Sequence, residues 1–138
     1  MNPAIIPALL FLIISLIGIA KRHRETFLLG YFLYGVLVFI SEISFYSETQ
    51  ESINLLVALL WLVQAILTFP KKTAYDSNSV KEARIKICLA LSAINITGVV
   101  IPEISPAPEI TFYIHLVMAI LPLLVVFLLS SGKIEIEK

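Results

Sequence analysis

Charge is what this sequence has least of. Of its 138 residues only 14% are Asp, Glu, Lys or Arg, and 59% are hydrophobic. Ordinary soluble domains carry roughly 25% charged and about 45–50% apolar residues. A soluble fold of this length could not hide so much apolar surface. Cysteine is nearly absent as well. The single Cys88 excludes an intramolecular disulfide, and with only two histidines it falls short of a zinc or haem ligand set within one chain. The sequence has no Gly-rich phosphate loop, no His-Glu-x-x-His, no Cys-x-x-Cys and no nucleophile elbow. No lysine stands inside an apolar run to carry a Schiff base. No basic residue precedes the first apolar run and no small-residue cleavage site follows it, so no signal peptide is expected and the first run stays in the mature chain.

What the sequence does contain is long apolar runs separated by islands of charge, the layout of membrane spans and loops. The predicted fold is all-α: one polytopic bundle of about five transmembrane helices. The predicted spans are residues 3–20, 26–46, 53–69, 80–101 and 110–129. Asn2 and Pro3 suit the start of the first span, as N-cap and first helical residue. The fourth apolar stretch is short, from Ile87 to Ile101. Ser79-Val80-Lys81-Glu82 ahead of it has capping-box spacing, so that helix is predicted to begin near Val80, with Lys81, Arg84 and Lys86 snorkelling to the headgroups. After Ile101, prolines at 102, 106 and 108 predict a stiff extended connection. Pro122 predicts a kink in the fifth span, because it lacks the N–H that would bond the carbonyl of Met118.

Orientation follows from lysine and arginine. In a five-span arrangement all 10 basic residues fall on one side, which the positive-inside rule makes cytoplasmic. The N-terminus is then outside and the C-terminus cytoplasmic, with a bacterial inner (plasma) membrane as the expected location. The opposite loops carry only Glu48, Glu51, Glu103 and Glu109 as charges. The basic islands are read as topogenic and lipid-facing, so no nucleic-acid partner is expected.

Glu42 is the only acidic residue in the apolar part of a span, and an ionised carboxylate there is expensive. Counted from the span ends, His115 in the fifth helix and Asn95 in the fourth lie at a similar depth. A carboxylate beside an imidazole would exchange protons near neutral pH and reduce the desolvation of each. Glu42 and His115 are therefore expected to pair, with Asn95 nearby, as a substrate- or ion-binding site. Interhelical hydrogen bonding that merely holds the bundle is the competing reading. Trp61 and Gln64, near the middle of the third span, are expected to pack against protein with their polar groups bonded.

Three functions fit these features. The first is a non-catalytic structural or accessory subunit of a membrane assembly, with itself or with other membrane subunits, its surface otherwise covered by the lipid bilayer. The second is a small transporter or channel with a proton, cation or small-solute site at Glu42 and His115. The third is a membrane enzyme acting on a lipid or quinone from the outer leaflet. The sequence names no catalytic residue, cofactor or metal, and an enzyme is the less favoured class.

Overall fold

The computed structural model describes residues 4–71, 77–101 and 109–134, without the side chains of 77–79 and 109. These residues form five helices: α1 (Ile5–Ala20), α2 (Arg24–Thr49), α3 (Ser52–Thr68), α4 (Ser77–Val100) and α5 (Glu109–Ser130). No strand occurs among them. Helices α2, α4 and α5 are long and apolar enough to cross a membrane, which marks an integral membrane protein. Helices α1 and α3 are apolar but shorter.

Local chemistry explains the boundaries. At the end of α1, Arg22 adopts left-handed backbone at φ 55, its N–H bonds Ile19, and the His23 N–H bonds Gly18. This is a Schellman closure without the usual glycine. His23 then caps α2, its Nδ1 accepting from the Thr26 N–H at 3.3 Å, so the chain reverses within three residues. Helix α2 runs past the predicted 46 to Thr49 and ends on left-handed Gln50 at φ 58. Helix α5 closes like α1, with Gly132 at φ 68 and the Lys133 N–H returning to Leu128.

Helix α4 begins before its apolar stretch, and Lys81 to Lys86 are helical as predicted. It starts at Ser77, however, which puts Ser79 inside the first turn and not at the N-cap. The capping-box reading is therefore corrected: the spacing is present but sits one turn too late. The proline-rich connection after Ile101 lies outside the described residues.

Neighbours in sequence pack as antiparallel pairs, α1 with α2, α2 with α3 and α4 with α5, while α1–α5 and α3–α4 meet more lightly. Glycines permit the close approaches. A Cβ on Gly30 of α2 would stand 2.1 Å from Ser15 Oγ and 2.5 Å from the Phe11 carbonyl of α1. Between α2 and α5 no pair of described Cα atoms comes within 8 Å. Large side chains fill that gap: Tyr31, Trp61 and Met118 are fully buried.

Candidate functional site

The buried polar side chains lie where the helices face one another. Gln64 on α3 donates to the Tyr31 carbonyl of α2 at 3.3 Å, and Asn95 on α4 donates to Gln64 Oε1 at 3.1 Å. Gln64 thus faces protein, as its two-ended amide requires in a membrane. Asn95 also donates to Leu91 of its own helix at 2.8 Å. Ser92, one turn earlier on α4, donates to the Ala119 carbonyl of α5 at 2.6 Å.

Helix α5 offers an acceptor for a stated reason. Pro122 has no N–H, so the carbonyl of Met118 four residues earlier loses its helical partner. The hydroxyl of Tyr31 reaches from α2 to donate to that carbonyl. Helix α5 remains continuous through the proline.

One turn along, Tyr34, Trp61 and His115 form an aromatic cluster at 2%, 0% and 4% exposure. Tyr34 Oη lies 3.1 Å from His115 Nδ1. The Trp61 ring meets Tyr34 edge-on at 5.3 Å and lies tilted over His115 at 5.4 Å. Gly98 of α4 closes the far side, since a Cβ there would be 2.8 Å from the imidazole. Trp61 Nε1 and Asn95 Oδ1 are buried without a partner among the described residues, so the expected bond to the indole N–H is not made among them.

Of the expected site residues, the structure brings Asn95 and His115 to neighbouring parts of this network. Glu42 is half-buried and makes no hydrogen bond or ion pair with any described residue. The expected Glu42–His115 pair is replaced by Tyr34–His115, and the register explains why. Tyr31 meets Met118 and Tyr34 meets His115, so the two helices are antiparallel and α5 begins level with Ile40. Glu42 stands past that point, eight residues from Tyr34, or about 12 Å along the axis. Residue counts from the span ends match only if the ends are flush, and here α2 extends beyond α5.

Sequence reasoning missed Tyr31 and Tyr34. A signal existed, because membrane tyrosines concentrate at the interfaces, and two at i and i+3 well inside a span need partners for their hydroxyls. Chemically the cluster offers one imidazole with a phenol and no carboxylate among its described partners. Among the described residues no group of His, Cys, Asp and Glu could hold a metal ion. Comparison with protein-family models, curated proteins and solved structures finds no match.

Proposed function

We propose that this chain is a non-catalytic helical subunit of a membrane assembly, formed with itself or with other membrane subunits. In this reading all five helices cross a bacterial inner membrane, with the N-terminus outside and the C-terminus in the cytoplasm. The observation that carries it is the use of the polar groups. Tyr31, Tyr34, Gln64, Ser92, Asn95 and His115 each join one helix to another, and none of them lines either cleft at the basic end of the bundle. Hydrogen bonds of this kind contribute roughly 0.6 kcal/mol each and define how helices pair.

Helix α3 supplies a surface for a neighbour. Leu56, Leu59, Val63 and Ile66 recur at three- and four-residue intervals and are all exposed, the spacing that seats one helix against another. The transporter reading requires Glu42 and His115 to act on one solute, and the eight residues of α2 between Glu42 and Tyr34, the residue that meets His115, argue against it.

Native mass spectrometry after extraction in mild detergent tests the proposal. A single mass of fixed stoichiometry, homo-oligomeric or with partner chains, is expected. A cysteine at Leu59 in a Cys88→Ser background should crosslink within it. A monomer whose proteoliposomes show a proton or cation flux abolished by Glu42→Gln would overturn it.

A further inference from the structure

Two fully buried polar atoms, Trp61 Nε1 and Asn95 Oδ1, have no hydrogen-bond partner among the described residues, and their needs are opposite. The indole N–H can only donate and the amide oxygen can only accept. Both belong to one junction. Asn95 of α4 bonds Gln64, which lies one turn beyond Trp61 on α3. Gly98, one turn beyond Asn95, abuts the same imidazole that the Trp61 ring covers. Three residues of helix rise by about 4.5 Å. Two groups joined through a single water stand roughly 4.5–5.5 Å apart. His115 adds a third opening. Tyr34 Oη lies 3.1 Å from its Nδ1 and 3.4 Å from its Nε2, but the bonding directions of the two ring nitrogens diverge, so one hydroxyl serves only one of them well.

We propose that this junction is a binding site for one internal water molecule. The water accepts from Trp61 Nε1–H, donates to Asn95 Oδ1, and makes its third bond with the His115 nitrogen that Tyr34 leaves open. The two orphaned atoms select the ligand by their chemistry. A cation would satisfy the carbonyl and not the indole, an anion the indole and not the carbonyl, and an acyl chain neither. Water serves both. Trp61, Asn95, Tyr34 and His115 are all shut off from the surface, so neither a lipid headgroup nor a partner's side chain reaches these atoms. Buried waters typically make about three bonds to groups that the fold leaves open, and are costly to remove. This one ties α3 and α4 to α5. Helices α3 and α5 bring no pair of described Cα atoms within 8 Å, so the water supplies a polar link that their backbones do not.

The test uses the full chain in lipid nanodiscs with its indole nitrogen isotopically labelled. Trp61 is the only tryptophan, so a single indole N–H resonance reports on this position. Its proton should show a nuclear Overhauser cross-peak at the water frequency. The cross-peak should persist in Tyr34→Phe, which removes the neighbouring hydroxyl that could relay the same signal. It should be lost in Asn95→Leu, which removes the acceptor, and kept in Ser92→Ala, which removes a different bond from α4 to α5. Absence of the cross-peak from the unaltered chain would overturn the site, and that reading does not depend on any variant folding. Its loss in Tyr34→Phe would assign the signal to the hydroxyl and overturn the water. A cross-peak unchanged in Asn95→Leu, or lost equally there and in Ser92→Ala, would overturn the placement against Asn95.

Discussion

Pro122 leaves the Met118 carbonyl without a helical partner, and Tyr31 donates to it from α2. The two residues form one device: the proline creates the acceptor and the tyrosine uses it to hold α5 to a helix its backbone never touches. Tyr31→Phe should therefore destabilise the bundle by roughly 0.6–1.7 kcal/mol, read from unfolding in detergent. In a Pro122→Ala background the carbonyl regains its own N–H, and the same change should cost clearly less. Equal losses in both backgrounds would mean the proline is not the reason for the bond. The sequence made half of this legible. The orphaned carbonyl follows from the position of Pro122 alone, but its donor depends on which helix faces α5, and an apolar run carries no record of its neighbours. The same limit applied to Gln64 and Asn95, whose need for partners was readable and whose pairing with each other was not.

At the scale of elements, Gly98 and His115 show how α4 and α5 pair. The imidazole is fixed by Tyr34 and Trp61, so it cannot retreat from a side chain at position 98. Gly98→Ala should cost about 1–3 kcal/mol by overpacking, and the penalty should shrink in a His115→Ala background. A thermal-unfolding cycle in detergent checks this, and a penalty unchanged by His115→Ala would place the strain elsewhere. The helices themselves were largely legible, since apolar runs mark their middles and basic islands their ends. Ends were less so. Helix α2 passes three residues beyond its apolar run because Ser47, Glu48 and Thr49 keep helical backbone, and α4 recruits the polar residues from Ser77 onward. His23 as an N-cap was concealed within a run that reads simply as charge.

At the scale of the whole molecule, register gives His115 to Tyr34 in place of the expected Glu42. Depth counted from each helix end assumes flush ends, and α2 overhangs α5. The proposed topology makes a more general claim, that all five helices cross, including the two of 16 and 17 residues. Those are about 24–26 Å long against a hydrocarbon core of about 30 Å. Thinning of the bilayer and snorkelling of flanking residues close such a gap at modest cost. The measurement that tests this most directly is a set of fusions to a reporter active only outside the cytoplasm, placed after Arg22, Glu51, Thr73, Glu103 and Lys138. The account predicts activity after Glu51 and Glu103 alone. Activity after both Glu51 and Arg22, or after both Glu51 and Thr73, would show that α2 or α3 does not cross and would contradict the five-span bundle, and fully swapped activities would overturn its orientation.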